Sequence, residues 1–324
     1  MKPVLRTIAI FAMALLSGPC LAQKEPFQFV ALGDMPYNIP DDYGKFDRLI
    51  DRINVLKPAF SIHVGDIVSG LTKCSEENFT KVKTRFDRFA GALIYTPGDN
   101  DWTDCHRLLM GRYDPLERLA YLRKLFFPEI GKSLGGMPLA LENQSLVMPE
   151  AFSNYIENTR FLYKNVWFAS AHVVGSLNNH DPDRPAMVAE YEARDKANIA
   201  WIDDAFRLAG QSSALGLVLF WQANVHATPR RTPDAPFTPP FHNTINAVER
   251  GAAKFKRPVL VIYGDFHFFE VQPFVNLKRE PIPGVTRLQV FGEKHVHAVR
   301  VRVEPSNPAL FAIEPLIVPE NGLP

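Results

Sequence analysis

Four strand-like apolar runs in this sequence each lead into a Gly-Asp pair. The aspartates of the pairs are Asp34, Asp66, Asp99 and Asp265. A single Gly-Asp pair is typical of an ordinary turn, but four pairs at equivalent strand ends are not. Because open α/β sheets form their ligand sites at the carboxyl ends of parallel strands, we expect the four side chains to converge in one crevice.

The order of predicted elements places this crevice in an α/β fold. Apolar runs over residues 27–32, 60–64 and 92–96 alternate with helix-like segments, and three successive β-loop-α units predict a parallel sheet. Two later strand-like runs, 154–163 and 166–174, are separated by Lys164-Asn165, which is hairpin spacing. Further strand-like runs follow residue 286, so the sequence predicts both parallel and antiparallel pairing.

Composition excludes two other classes of protein. The 324 residues include 36 Lys plus Arg against 35 Asp plus Glu, which argues against a basic nucleic-acid-binding surface. A hydrophobic fraction of 46% with 22% charged residues argues against disorder. We find no repeat and no internal domain break, so residues 23–324 are predicted to form a single domain.

The N-terminus is predicted to be a signal peptide, residues 1–22. Lys2 and Arg6 precede an apolar run over residues 8–16, and Cys20-Leu21-Ala22 resembles a cleavage site. An uncleaved anchor is the alternative, but this run is far shorter than the roughly 20 residues that span a bilayer. We therefore expect a secreted or periplasmic protein with no membrane span after cleavage.

Cleavage would leave Cys74 and Cys105 as the cysteines of the mature chain. Both follow predicted strands in loops at the same end of the sheet, and an oxidising compartment permits them to pair. We predict a disulfide between them, with two separate buried thiols as the alternative.

The strand-end motifs resemble those of the calcineurin-like metallophosphoesterase superfamily, over roughly residues 27 to 300. The family blocks D-x-H, G-D, G-N-H-[DE] and G-H-x-H align, in order, with Asp34, Gly65-Asp66, Gly98-Asp99-Asn100-Asp101 and Gly264-Asp265-Phe266-His267. The resemblance implies a four-layer α/β/β/α sandwich of two mixed sheets. It also implies two divalent metal ions, with Asp66 as the bridge, and attack of a bridging water on a phosphoester.

The sequence departs from the family pattern at four positions. Pro36 replaces the first-block histidine, Asp99 an asparagine, Asn100 the third-block histidine and Asp265 the first histidine of the last block. The result resembles secreted members with G-D-N-[DE]-W and G-D-x-H forms. Because carboxylate-rich sites favour hard cations, we expect Mn²⁺ or Mg²⁺ in preference to Zn²⁺.

The resemblance and the strand ends together give the candidate site residues. The metal ligands are predicted to be Asp34, Asp66, Asp99, Asp265, His267 and Gln222. Gln222 is a working assignment, because Asn224 and His226 are alternatives for the same position. The predicted catalytic residues are Asn100, Asp66 and His267, and the predicted substrate contacts are Asn100, Asn178 and Arg107.

The predicted function is hydrolysis of a small-molecule phosphomonoester or phosphodiester. Asn100 donates hydrogen bonds but cannot act as a general acid, so poor leaving groups should react slowly. His106 and His226 are the alternative proton donors. The competing prediction is a non-catalytic binding protein that keeps the fold and a partial metal site. Substrate identity and oligomeric state stay open.

Overall fold

The computed structural model describes residues 25–228 and 235–324. The predicted signal peptide lies outside the described residues, as does the proline-containing stretch 229–234. Within the described ranges, no helix is long and apolar enough to cross a membrane.

The chain contains strands and helices in alternation. The strands are β1 (Phe27–Leu32), β2 (Ser61–His63), β3 (Ala92–Tyr95), β4 (Leu134–Gly135), β5 (Glu142–Asn143), β6 (Thr159–Tyr163), β7 (Val166–Ser170), β8 (Gly216–Phe220), β9 (Val259–Tyr263), β10 (Glu270–Val275), β11 (Pro281–Gln289), β12 (Ala298–Val303) and β13 (Phe311–Leu316). The helices are α1 (Asp41–Leu56), α2 (Glu76–Phe86), α3 (Pro115–Phe126), α4 (Gln144–Val147), α5 (Pro149–Phe152), α6 (Gly175–Asn178), α7 (Pro185–Gln211) and α8 (His242–Phe255).

The strands form two mixed sheets. The first has the order β13-β12-β1-β2-β3-β4, in which β1, β2 and β3 are parallel and the outer strands antiparallel. The second has the order β10-β11-β9-β8-β7-β6-β5, with β7, β8, β9 and β11 parallel. The predicted hairpin joins β6 and β7, and both of its turn residues, Lys164 and Asn165, have positive φ, as a tight hairpin turn requires.

Side-chain alternation explains why the sheets stack between helices. On β1, Val30 and Leu32 join the cluster that packs under α1, α2 and α3. The alternate residues Phe29 and Ala31 join a second cluster, which fills the space between the two sheets. A third cluster lies between the second sheet and the helices α7 and α8. The structure therefore confirms the predicted four-layer α/β/β/α sandwich of two mixed sheets.

The four aspartates come from both sheets. Asp34, Asp66 and Asp99 follow β1, β2 and β3 of the first sheet, whereas Asp265 follows β9 of the second. Asp34, Asp66 and Asp265 have left-handed φ angles of 52°, 55° and 80°, so the chain turns sharply at these strand ends. The crevice therefore lies between the two sheets rather than along one.

The predicted disulfide is present between Cys74 and Cys105, with a Cα–Cα distance of 5.7 Å. It joins the loop before α2 to the turn that follows Asp99. Both sulfur atoms are buried and lie 3.5 and 3.7 Å from the carbonyl oxygen of Asn100. The disulfide thus packs directly beneath a predicted site residue.

Removing this disulfide is expected to lower the free energy of unfolding by roughly 3 to 4 kcal/mol, from the chain entropy of the loop that it closes. The double variant Cys74→Ser/Cys105→Ser should show this loss in urea unfolding without reductant. In reductant, wild type and variant should be similarly stable. Equal stability without reductant would contradict the prediction.

Candidate metal centre

Asp34, Asp66 and His267 lie close together at the carboxyl ends of the strands. Each offers one ligand atom, and these atoms all lie within 4.8 Å of one another. Asp34 is fully buried, and its two carboxylate oxygens accept from the backbone N–H of Asp265 at 3.0 and 3.2 Å. Nε2 of His267 is 3.8 Å from Oδ1 of Asp34. This spacing suits ligands that surround a cation.

Two glycines make room for Asp34. A methyl group on Gly264 would lie 2.0 Å from Oδ2 of Asp34, and one on Gly292 would lie 2.4 Å from its Cβ. Any other residue at either position would displace the carboxylate. The glycine before Asp265 is therefore required by the close approach of the two sheets.

Four donors fix the carboxylate of Asp66. Its Oδ2 accepts from the Tyr37 hydroxyl at 2.7 Å, Nδ2 of Asn100 at 3.0 Å and Nε2 of Gln222 at 3.3 Å. Its Oδ1 accepts from the backbone N–H of Asn100 at 3.0 Å. Asp66 is thus held by residues of both sheets at the centre of the crevice.

Asp99 and Asp265 both face Gly175, which follows β7. A methyl group at Gly175 would lie 2.6 Å from Oδ2 of Asp99 and 3.1 Å from Oδ1 of Asp265. Oδ2 of Asp265 accepts from the backbone N–H of Asn224 at 2.9 Å. The structure therefore brings all four aspartates of the Gly-Asp pairs to one site.

The three candidates after β8 lie in different surroundings. Gln222 contacts Asp66, as described, and its Oε1 accepts from the backbone N–H of Gly175 at 2.6 Å. Asn224 holds Asp265 through its backbone. His226 packs against the rings of Phe237 and Phe274 and faces the carbonyl of Val275, and burial lowers its pKa to about 3. Of the three side chains, that of Gln222 reaches the acidic cluster.

Asp34 and Asp66 are buried carboxylates that lie close to other acidic side chains. Burial raises the pKa of both Asp34 and Asp66 well above the usual range, and the neighbouring aspartates raise it further. Among residues 25–228 and 235–324, no lysine or arginine forms an ion pair with either carboxylate. Buried carboxylates need a counter-charge or a proton. The oxygen-rich donor set fits divalent cations.

Asp101 holds two loops of the site in place through hydrogen bonds to their backbone. Its carboxylate accepts from the backbone N–H groups of Asp66, Ile67 and Gly98 at 3.0, 2.7 and 2.7 Å. It also accepts from the hydroxyl of Tyr95 at 2.7 Å. Burial raises its pKa to about 6. Asp101 therefore ties the loop after β3 to the loop after β2.

The structure adds three polar side chains that sequence reasoning missed. Tyr37 donates to Asp66, and Ser176 places its hydroxyl 2.7 Å from Oδ2 of Asp99 and 2.9 Å from Oδ2 of Asp104. Burial, and then the charge of Asp99, raise the pKa of Asp104 to about 8. Asp104 lies three residues after the third block, and this position could have identified it from the sequence. Nothing in the sequence marks Tyr37 or Ser176.

The three predicted substrate contacts lie in different surroundings. Arg107 is half-exposed beside the cluster, and its guanidinium lies 2.7 Å from Asp104 and donates to Ser176 at 3.0 Å. Asn100 projects its amide between Asp66 and Tyr37. Asn178 differs from the prediction, because it is fully buried and its amide holds the chain itself, accepting from Arg194 at 2.6 Å.

The alternative proton donor His106 does not contact the four aspartates in the described structure. Its Nδ1 lies 2.7 Å from the carbonyl oxygen of Thr103, within the same short helical turn. His226 is turned towards Val275, as described. Asn100 therefore remains the side chain at the third-block histidine position that contacts the acidic cluster.

Comparisons with known proteins show the fold. No family model matches the sequence, and no curated protein matches it. A dimetal phosphatase from Danio rerio aligns with a TM-score of 0.55 at 10% identity, covering 85% of this chain and 95% of that one. A purple acid phosphatase from yellow lupin (Lupinus luteus) seeds aligns with a TM-score of 0.52 at 12% identity. That alignment covers 93% of this chain and 55% of the lupin chain, so this chain spans about half of the lupin protein.

Proposed function

We propose that this chain, which has the fold of the calcineurin-like metallophosphoesterases, is a secreted or periplasmic metal-dependent phosphoesterase. Its substrate would be a small-molecule phosphomonoester or phosphodiester. The observation that carries the proposal is the convergence of Asp34, Asp66 and His267 within 4.8 Å at the strand ends of both sheets. The names of the two structural neighbours, both phosphatases, agree with it.

Two divalent cations would be held by six side chains at this site, and Asp66 would be the ligand that they share. The six side chains are Asp34, Asp66, Asp99, Asp265, His267 and Gln222. When bound, such cations supply the positive charge that polarises a phosphate group and makes a water molecule more acidic. Because the donor set is dominated by carboxylate oxygens, we expect Mn²⁺ or Mg²⁺ rather than Zn²⁺.

The chain's own residues would orient the substrate. The amide of Asn100 donates to Asp66 and to the Tyr37 hydroxyl, and it could redirect the second N–H to a phosphate oxygen but cannot release a proton. The guanidinium of Arg107 lies at the mouth of the crevice, and its planar fork suits a phosphate. Since no proton donor replaces the third-block histidine at this position, esters with good leaving groups should be the better substrates.

Removing the guanidinium of Arg107 is expected to raise KM for a phosphoester by at least about tenfold, because a charge-assisted hydrogen bond of this kind contributes about 1.5 to 3 kcal/mol. Arg107→Ala should show the full effect, and Arg107→Lys should recover part of it by restoring the charge. Arg207→Ala, on the surface of α7, is the control. A KM equal to that of wild type in Arg107→Ala would contradict this role.

The experiment that tests the proposal is hydrolysis of 4-nitrophenyl phosphate and bis(4-nitrophenyl) phosphate by the purified mature chain. We expect turnover with Mn²⁺ or Mg²⁺ that exceeds turnover with Zn²⁺ and is lost with chelator. Absence of turnover with every metal, in a folded protein, would overturn the proposal.

The alternative is a non-catalytic binding protein with a partial metal site. It is favoured by one observation, the replacement of the third-block histidine by Asn100, which cannot protonate a leaving group. This alternative predicts a bound ion without hydrolysis of either nitrophenyl ester.

A further inference from the structure

Four large apolar side chains stand exposed around the candidate metal centre. We call them the apolar rim: Leu71, Leu108, Leu177 and Phe268, with exposed fractions of 75, 65, 51 and 47%. Each directly follows a residue at the centre or its mouth, in order Gly70, Arg107, Ser176 and His267. Loops that bear polar residues at the site therefore expose an apolar residue at the next position, and exposed apolar groups gathered near a site are typical of binding surfaces.

Leu177 is exposed, and its backbone has a conformation that is unfavourable for leucine. It lies in α6, which is a left-handed turn and not a regular helix, because Ser176, Leu177, Asn178 and Asn179 have φ angles of 46°, 57°, 54° and 62°. Left-handed backbone is unfavourable for a leucine by about 1 to 2 kcal/mol, whereas asparagine tolerates it. An asparagine at this position would be both more soluble and less strained. A leucine at this position therefore points to a role for its apolar side chain.

Three members of the rim lie on segments that adjoin the guanidinium of Arg107. Its Nη2 donates to the Ser176 hydroxyl at 3.0 Å, which joins the segments that bear Leu108 and Leu177. A methyl group at Gly70 would lie 3.9 Å from its Nη1, so the segment that bears Leu71 is also adjacent. A phosphate held by Arg107 would have apolar side chains on three neighbouring segments.

The fourth member, Phe268, opens onto an apolar recess of about 450 Å³. Its lining includes Phe269, Phe291 and Ile317, and the rings of Phe269 and Phe291 stack at 5.3 Å. The residue after Phe291 is Gly292, which packs against Asp34. Two lining residues of the recess, Phe268 and Phe291, are thus chain neighbours of His267 and Gly292 at the acidic cluster, and the recess is large enough for a hydrocarbon group.

We infer that the ligand of this site is an amphiphilic phosphoester, with its phosphate at the metal centre and a hydrocarbon chain over the apolar rim and in the Phe268 recess. This inference rests on the proposed function for the position of the phosphate. A fully polar phosphoester would leave these side chains in water, whereas a hydrocarbon chain would remove apolar surface from water on both partners.

Alkylphosphonates test the inference without requiring turnover. They share one non-hydrolysable headgroup, and their chain length can be varied from methyl to octyl below the micelle concentration. With Mn²⁺-loaded full-length mature protein, we expect the calorimetric Kd to fall about twofold for each added methylene, half of what complete burial would give. The octyl compound should therefore bind roughly 100-fold more tightly than the methyl compound.

Two variants localise the effect. Leu177→Asn removes the apolar group and suits the left-handed backbone, and Phe268→Ser opens the recess. Each should reduce the methyl-to-octyl ratio of Kd values about three- to tenfold. Val55→Ser, which removes an exposed apolar residue from α1, is the matched control and should leave the ratio unchanged.

Equal Kd values for methyl- and octylphosphonate would overturn the inference, and so would a ratio that neither rim variant changes. Binding to phosphatidylcholine vesicles without chain-length dependence would also overturn it, because the rim would then contact a membrane rather than a ligand. Turnover of 4-nitrophenyl phosphate tests the proposed function separately. Chain-length dependence without turnover would support the ligand class and reject the enzyme.

Discussion

Replacing Asp66 with alanine is expected to lower kcat/KM for 4-nitrophenyl phosphate by at least about 1,000-fold, which corresponds to about 4 kcal/mol. The carboxylate of Asp66 contacts Tyr37, Asn100 and Gln222 together. Its removal would take away the proposed shared ligand and release the donors that orient it. Both the bound metal and the position of Asn100 would be affected.

The control for this prediction is Asp51→Ala, which removes an exposed aspartate of α1 that pairs with Arg88. It should retain the activity of wild type. Asp66→Asn, which preserves volume, should also be inactive, and its circular dichroism spectrum would show whether the fold is kept. If folded Asp66→Ala retained a tenth or more of the activity, Asp66 could not be the shared ligand.

The second large effect concerns stability in the absence of metal. Two sites, each with free metal a thousandfold above Kd, would stabilise the folded state by about 8 kcal/mol in total. For a chain of this length, this corresponds to a rise in Tm of about 10 °C. Thermal unfolding in chelator and in excess Mn²⁺ measures it. An unchanged Tm would contradict the presence of the metal centre.

The stability of the metal-free protein should change with pH in the direction opposite to that of most proteins with ion-paired carboxylates. The folded-state pKa values of Asp34 and Asp66 lie well above the unfolded value, since burial and neighbouring charges favour the protonated forms. The folded protein therefore binds more protons than the unfolded chain does. The contribution of these two groups to the free energy of unfolding is greatest below about pH 4 and falls as pH rises. Other groups act in addition, so the comparison must be made with a variant.

Asp34→Asn provides that comparison. The amide oxygen can still accept from the backbone N–H of Asp265, while the titrating group is lost. In chelator, the variant should lose less stability than wild type between pH 5 and pH 8, as measured by urea unfolding. The same pH dependence in both proteins would show that Asp34 is charged in the folded state without cost.

The fold was predictable because its signals are local and repeated. Each Gly-Asp pair follows a short apolar strand, so the sequence displays each strand end directly. Lys164-Asn165 likewise identified the hairpin between β6 and β7. These features depend on neighbouring residues, so a sequence can display them.

The remaining parts of the site depend on contacts between distant segments. Tyr37 reaches Asp66 from a loop after β1, and Ser176 reaches Asp99 from a left-handed turn after β7. Neither residue type indicates such a position. Asn178 was expected at the substrate because it follows a strand, but the same turn directs its amide to Arg194. The left-handed turn therefore determines which polar side chain faces the site. The residue types in the turn did not reveal this.

The measurement that tests the central proposal most directly is the number of Mn²⁺ ions bound per chain, by equilibrium dialysis, in wild type and Asp66→Ala. We expect two ions for the folded wild-type chain, with the loss of at least one in Asp66→Ala together with the loss of turnover. Fewer than one ion per wild-type chain, or the same occupancy in both proteins, would contradict it.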